Sequence, residues 1–187
     1  MVPVFYEPPP DPAPDDIHGQ LLARRIVLAN GPLDARGADD VCGRLLVLDQ
    51  QGPEPVTMHL ACPDADLDAA LTVVSTIDFM TAPVHAIAAS SIGGGGVAVL
   101  AAAAERSAHP HATVLLFEPK VLGALEGSAE SLSIAAEHRT RQLTTLVERI
   151  AAACGRDAHT VAEDLRAGRL LTADEAVEYG LVHRLTS

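Results

Sequence analysis

A run of small residues offers the clearest candidate site for chemistry. Ser90 and Ser91 follow an apolar stretch at 84–89, and four consecutive glycines at 93–96 lead from them into an alanine-rich segment. A strand that turns through glycines into a helix presents backbone N–H groups at the helix N-terminus, where anions and oxyanions are held. A serine beside such groups is typical of nucleophilic catalysis. The same run could also be a tight structural passage without chemistry.

The remaining reactive residues do not form a metal or nucleotide motif. Cys42, Cys62 and Cys154 are isolated from one another, with no Cys-x-x-Cys spacing and no paired histidines nearby. We interpret them as reduced, structural cysteines rather than zinc ligands. The glycine run is not followed by Lys-Ser or Lys-Thr, which a phosphate-binding loop requires. We therefore expect neither a metal nor a cofactor.

Composition restricts the class of protein. The chain has 187 residues, of which 48% are hydrophobic, enough for one buried core. The net charge is −12, and 13 basic residues are scattered among 25 acidic ones, which argues against a nucleic-acid partner. No segment approaches the roughly 18 uninterrupted apolar residues of a membrane span. Because the N-terminus also lacks the basic region of a signal peptide, we expect a cytoplasmic protein without a membrane partner.

The elements that must position the serine–glycine run alternate between strands and helices. The patterns predict strands over 25–29, 56–60, 84–89 and 112–117. They predict helices over 38–48, 67–80, 94–106, 128–153 and 157–166, and a last helix that Thr172 and Glu175 open with a capping box, followed by a final strand. Strands separated by such helices indicate parallel β-α-β units in one domain, residues 18–187.

Residues 1–17 are rich in proline and do not fit this pattern. Proline fixes φ and removes a backbone donor, so this segment is predicted to be a flexible arm. Its tip is apolar, which is also compatible with a segment that docks on a partner.

The order of these elements and several local motifs resemble the proteolytic subunit of the Clp protease, a member of the Clp/crotonase fold. The motifs are Arg-Ile-Val-Leu at 25–28 with Gly-Pro-Leu-Asp at 31–34, the second strand ending at Pro63, the Glu-Pro pair at 118–119, and the segment 171–182. The resemblance implies an α/β fold of superhelical β-α-β units. It also implies that the long helix at 128–153 is a protruding handle, through which two seven-membered rings meet.

The resemblance also assigns the catalytic positions, and none of them carries the family's residue. The nucleophilic serine falls on Gly94, the general-base histidine on Phe117 and the aspartate on Gly168. Glycine has no oxygen to attack a carbonyl, and phenylalanine cannot accept a proton. The resemblance therefore implies a degenerate member of the family.

The oxyanion positions depart from the family as well. Where the family has a glycine pair after a proline, Pro63 is followed here by Asp64 and Ala65. Gly95, which directly follows the position of the nucleophile, is the third residue assigned to the oxyanion site. A carboxylate at Asp64 would repel a developing oxyanion instead of stabilising it.

Two active alternatives remain open. A register shifted by three places Ser91, or its neighbour Ser90, over the family's nucleophile and implies an active serine peptidase, although the strand at 112–117 then ends without a histidine. The glycine run also matches crotonases, which bind an acyl-CoA thioester between two backbone N–H groups, although those chains are longer. The hypothesis we favour is that the chain is an inactive subunit with a structural or regulatory role in a ring. That ring would be a heptamer or double heptamer of this chain, or a mixed ring with an active homologue, and an AAA+ unfoldase is a possible partner.

Overall fold

Eight strands form two sheets in the computed structural model, which describes residues 17–119 and 127–186. The strands are β1 (Ile26–Asn30), β2 (Val56–Ala61), β3 (Val84–Ala88), β4 (Ser91–Gly93), β5 (Glu105–Ala108), β6 (Thr113–Leu116), β7 (Arg169–Thr172) and β8 (Arg184–Leu185). The larger sheet has the order β1-β2-β3-β5-β8 and is parallel throughout. The smaller sheet has the order β4-β6-β7, in which β7 is antiparallel to β6. This mixed α/β architecture confirms the predicted fold class.

Seven helices accompany the strands in the described part of the chain. They are α1 (Ile17–Ala23), α2 (Ala35–Gln51), α3 (Leu67–Phe79), α4 (Gly95–Ala102), α5 (Ala129–Cys154), α6 (Ala158–Ala167) and α7 (Ala173–Tyr179). Side chains of Asp34, Asp66, Ser128 and Asp157 accept hydrogen bonds from backbone N–H groups at the N-termini of α2, α3, α5 and α6. The predicted capping box of Thr172 and Glu175 is present at the start of α7.

The core is built mainly from aliphatic residues, and α4 lies in its centre. Every residue of α4 up to Ala101 is buried, with no polar face. Its small side chains allow α3 on one side and α5 on the other to approach closely. The alanine-rich composition that follows the glycine run is therefore a packing requirement at the middle of the domain.

Helix α5 extends beyond this core. Its buried residues, Leu146, Ile150 and Ala151, all lie in its C-terminal half. The N-terminal half is mostly exposed, and Ile134 there is 62% exposed. This is the long projecting helix that the sequence predicts over 128–153.

The structure corrects several predicted elements. The helix predicted over 94–106 ends at Ala102, and Glu105–Ala108 is instead a strand that pairs with β3. The run of alanines has high helix propensity, but the residues after it are drawn into the sheet by pairing with a distant strand. Helix α1 and strands β4 and β7 were not predicted. The antiparallel pairing of β7 also departs from the all-parallel arrangement that the alternation indicates.

A buried arginine ties the C-terminal segment to the core. Arg106 donates hydrogen bonds to the carbonyl oxygens of Leu181 (2.9 Å), Ala153 (2.9 Å) and Ala103 (3.3 Å). Its backbone N–H donates to Nδ1 of His183 at 3.3 Å. Burial and the neighbouring Arg106 guanidinium lower the pKa of His183, so the ring is held neutral as an acceptor.

A second cluster of polar side chains connects α7 with α6. The Tyr179 hydroxyl donates to Asp164 at 2.7 Å, and Arg169 donates to the same carboxylate. The Arg156 guanidinium lies 4.0 Å from the centre of the Tyr179 ring. Burial and the Asp164 carboxylate raise the pKa of Tyr179, so it acts as a hydrogen-bond donor at neutral pH.

Two further expectations concern the proline-rich arm and membrane-spanning segments. The proline-rich arm lies outside them except for Ile17, which is the first residue of α1. Within residues 17–119 and 127–186, no helix is both long enough and apolar enough to span a membrane.

Candidate active site

Gly94 lies on a sharp turn between β4 and α4. Its backbone has φ 54° and ψ −127°, a conformation that residues with a Cβ rarely adopt. The turn is fixed on both sides, since Gly93 N–H donates to the Cys62 carbonyl at 2.8 Å and Gly94 N–H points to the Leu115 carbonyl at 3.4 Å. A strained strand-to-helix turn of this kind holds the nucleophile in several hydrolases, because it exposes the side chain above a helix N-terminus. The backbone geometry of a nucleophile position is therefore present at Gly94.

The ring of Phe117 lies directly against this turn. A Cβ added to Gly94 would lie 3.0 Å from two carbons of the ring, Cε2 and Cζ. A Cβ added to Gly93 would lie 2.7 Å from Cε1 of the same ring and 2.4 Å from the Pro63 carbonyl oxygen. The positions that the resemblance assigns to the nucleophile and the base are thus in contact, and the aromatic ring fills the space that a side chain at position 94 would use.

Asp64 lies beside the same turn. Its Oδ1 is 3.5 Å from the place that a Cβ on Gly94 would take. Its side chain is partly exposed, and within the described residues it makes no hydrogen bond or ion pair. The carboxylate therefore has no ion-pair partner among the described residues, and it lies next to the first residues of α4.

Ala65 and Gly95 have a packing role in this arrangement. Ala65 is buried and forms a single parallel bridge with Leu33. Its carbonyl oxygen would lie 3.0 Å from a Cβ on Gly95, and the Cβ of Ala70 would lie at 2.7 Å. A side chain at position 95 would clash with α3, so this glycine allows α3 and α4 to approach.

Gly168 lies close to Phe117 and Asp64, at the end of α6. It ends α6 in a left-handed conformation, with φ 70° and ψ 50°. It lines an open cavity of about 600 Å³ together with Asp64 and Phe117. The other lining residues are Pro63, Leu115, Glu118, Leu165, Arg166 and Ala167. Two of the three positions assigned to the triad, Phe117 and Gly168, therefore line one cavity, and Gly94 lies against the Phe117 ring.

Ser91 and Ser90 lie outside that site. Ser91 is exposed on β4, and its Oγ is 2.7 Å from Oγ1 of Thr113 on β6. Neither serine hydrogen-bonds to a histidine in the described part of the chain. His109, one of the two histidines that immediately precede β6, has Nδ1 3.1 Å from Oγ1 of Thr186. A Ser-His pair of the kind that activates a hydroxyl is not formed by these residues.

Cys62 is another potential nucleophile near the glycine run. It is buried, and its thiol donates to the Asp64 carbonyl oxygen at 3.2 Å. Burial raises the pKa of the Cys62 thiol to about 11, so at neutral pH it is not the reactive thiolate. No group of three His, Cys, Asp or Glu side chains among the described residues could hold a metal ion.

Sequence reasoning did not identify an ion pair at the edge of the cavity. Arg166 Nε lies 3.6 Å from Glu118 Oε1, and both side chains are largely exposed. Glu118 directly follows Phe117, and Arg166 precedes Gly168 by two residues. Because both residues are close in sequence to the assigned positions, the sequence contained a signal that they could face the same cavity.

Comparison with known proteins identifies the family of this chain. The family model of the Clp protease matches residues 11–187. The chain belongs to the Clp protease family. The match covers nearly the whole chain, as the motifs at 25–34 and 171–182 predict, and confirms the predicted family.

Individual relatives in the Clp protease family are similar over most of their length. One is the ATP-dependent Clp protease proteolytic subunit 1 of Nocardia farcinica, 31% identical over 175 residues, which span 92% of this chain and 88% of the relative. The ATP-dependent Clp protease proteolytic subunit of Ligilactobacillus salivarius is 31% identical over 173 residues, with 89% and 85% covered. Subunit 1 of Mycolicibacterium paratuberculosis is 27% identical over 168 residues, with 88% and 80% covered.

Proposed function

We propose that this chain is a catalytically inactive subunit of the Clp protease family with a structural or regulatory role in an oligomeric ring. The observation that carries the proposal is the contact between Gly94 and Phe117. The Phe117 ring lies 3.0 Å from the place that a side chain on Gly94 would occupy. Neither residue can donate, accept or transfer a proton, so no nucleophile is generated at this turn.

The surroundings of the turn support the same conclusion. Acyl transfer by a serine requires a base that takes the hydroxyl proton and a third group that orients the base. Gly168 has no side chain for the third role. Asp64 places a negative charge where the reaction would develop one, which raises the energy of the transition state. Loss of all members of a triad leaves little beyond substrate binding.

Features that serve assembly are retained, in contrast to those that serve chemistry. Helix α5 keeps an exposed N-terminal half, which in this family is the part that meets a second ring. The named relatives are proteolytic subunits of ATP-dependent proteases. By analogy, we propose that this subunit assembles into a heptamer or double heptamer, or into a mixed ring with an active homologue, in the cytoplasm. An AAA+ unfoldase is the partner expected for such a ring.

The test of inactivity is a peptidase assay on the purified full-length chain. Fluorogenic peptides should be released no faster by the protein than by buffer. The Ser91→Ala variant should give the same background rate as the unchanged protein. Cleavage that disappears in Ser91→Ala would overturn the proposal and favour an active peptidase that uses Ser91.

The test of assembly is native mass spectrometry of the chain alone and after mixing with an active proteolytic subunit. We expect a seven- or fourteen-subunit species, either of this chain or of the mixture. A single subunit mass under both conditions would contradict a role in a ring.

A further inference from the structure

The cavity at the candidate site carries a net negative charge. Among the described residues that line it, three have charged side chains: Asp64, Glu118 and Arg166. Arg166 and Glu118 form an ion pair with each other, at 3.6 Å. Their charges compensate, which leaves the Asp64 carboxylate without an ion-pair partner among the lining residues that the structure describes.

The rest of the lining is apolar and includes an aromatic ring. Leu115 and Phe117 are half-buried, and Leu165 is buried. A long aliphatic side chain can lie against such a surface while its charged end reaches a polar group. Aromatic rings also attract cations, because the ring face is electron-rich. An apolar wall next to a free carboxylate is therefore complementary to a lysine or an arginine.

An anionic occupant fits this cavity less well. The N-terminus of α4 would attract an anion. However, Asp64 Oδ1 lies only 3.5 Å from the place of a Cβ on Gly94, the residue before α4, so an anion there would be repelled by the carboxylate. The chain as a whole also has a net charge of −12, which favours approach of cations over anions.

We propose that this cavity binds the cationic side chain of a peptide segment. The ammonium or guanidinium group pairs with Asp64, and the aliphatic stem packs against Phe117 and Leu165. The inference rests on the proposed function, since a subunit that does not cleave its peptide can retain it. A subunit of this kind binds peptide segments that contain lysine or arginine and retains them inside the ring.

The experiment compares three labelled pentapeptides that differ only in the central residue: lysine, norleucine or glutamate. Norleucine keeps the aliphatic stem of lysine without the amine, so the first two peptides isolate the charge. Dissociation constants are measured by fluorescence anisotropy with the full-length protein at low ionic strength. We expect the lysine peptide to bind at least about fivefold more tightly than the norleucine peptide, and the glutamate peptide to bind most weakly. The advantage of lysine should shrink at about 0.5 M salt.

Two variants connect this preference to the cavity. Asp64→Asn should remove the advantage of lysine over norleucine, and because the Asp64 side chain makes no hydrogen bond within the described residues, the variant should keep the fold. Glu163→Gln is the matched control, since Glu163 is exposed on α6 and does not line the cavity. It should leave all three dissociation constants unchanged.

Each outcome decides the proposal. Equal affinities for lysine and norleucine, an equal effect of both variants, or no binding of any peptide would refute it. Phe117→Leu offers a second check, as it should weaken the lysine and norleucine peptides together by removing the aromatic wall. The proposed function fails separately, by the appearance of cleaved peptide, which the same samples reveal by mass spectrometry.

Discussion

Replacement of Gly94 by alanine tests the contact on which the proposed function depends. The substitution adds one methyl group with two consequences. It places a residue with a Cβ at φ 54° and ψ −127°, a sparsely populated conformation that costs about 1 to 3 kcal/mol. It also brings the new carbon to 3.0 Å from Cε2 and Cζ of Phe117, an overpacking that costs about 1 to 3 kcal/mol. We expect Gly94→Ala to lower the free energy of unfolding by about 2 to 6 kcal/mol.

A double-mutant cycle with Phe117→Ala separates these two contributions. With the ring removed, Gly94→Ala should retain only its conformational cost, so the coupling energy should be about 1 to 3 kcal/mol. Gly168→Ala is the control, because Gly168 also has a positive φ, of 70°, but an added Cβ would meet nothing within 4 Å. It should cost about 1 to 2 kcal/mol and show no coupling with Phe117→Ala.

The measurement is urea unfolding of the four proteins of the cycle and the control at one protein concentration, because oligomerisation shifts apparent stability. A coupling energy below about 0.5 kcal/mol would refute the reasoning. It would mean that Phe117 does not lie against Gly94, and the assignment of the two positions to one site would fail.

Three further predictions concern the polar contacts that hold the C-terminal half together. Arg106→Ala should lower the free energy of unfolding by about 3 kcal/mol in urea titrations, because it leaves three carbonyl oxygens without their donor; a loss below about 1 kcal/mol would contradict this. The pKa of His183 is lower in the folded chain than in the unfolded chain, so the unfolded chain binds a proton more readily as pH falls below about 6.5. The free energy of unfolding should therefore decrease in that pH range. His183→Gln should lessen that decrease in thermal melts between pH 7.5 and pH 5.5, about one unit either side of the free histidine pKa, and an unchanged pH profile would exclude this role. Tyr179→Phe removes the hydrogen bond to Asp164 and should cost about 1 to 2 kcal/mol, measured in the same way; no loss would show that the bond does not stabilise the fold.

The sequence predicted the general architecture because the responsible signals are local. Alternating apolar residues over 56–60 and the capping box at Thr172 depend only on neighbours in the chain, and both elements are found. Strand β5 was not predicted, since its residues Glu105–Ala108 become a strand through pairing with β3 and follow an alanine run that favours helix. Non-local pairing of this kind leaves no periodic pattern in so short a segment.

The glycine run was predictable from the residues alone, but its grouping with Phe117 and Gly168 was predictable only through the family resemblance. Gly94, Phe117 and Gly168 are separated by tens of residues, and no spacing rule brings them together. The Glu118–Arg166 ion pair depends on how α6 packs beside β6, which the sequence does not specify. The lysine preference inferred for the cavity therefore depends on the structure.

Covalent labelling tests the central claim most directly, because it reports on serine chemistry at any position in the chain. The full-length protein is incubated with a serine-directed phosphonate, and the intact mass is then measured, with an active proteolytic subunit as the positive control. Gly94 carries no hydroxyl, and Ser91 is hydrogen-bonded to Thr113 and has no histidine partner in the part of the chain that the structure describes. We therefore predict an unmodified mass for this chain. A stoichiometric adduct that maps to Ser91, and is lost in Ser91→Ala, would contradict the account.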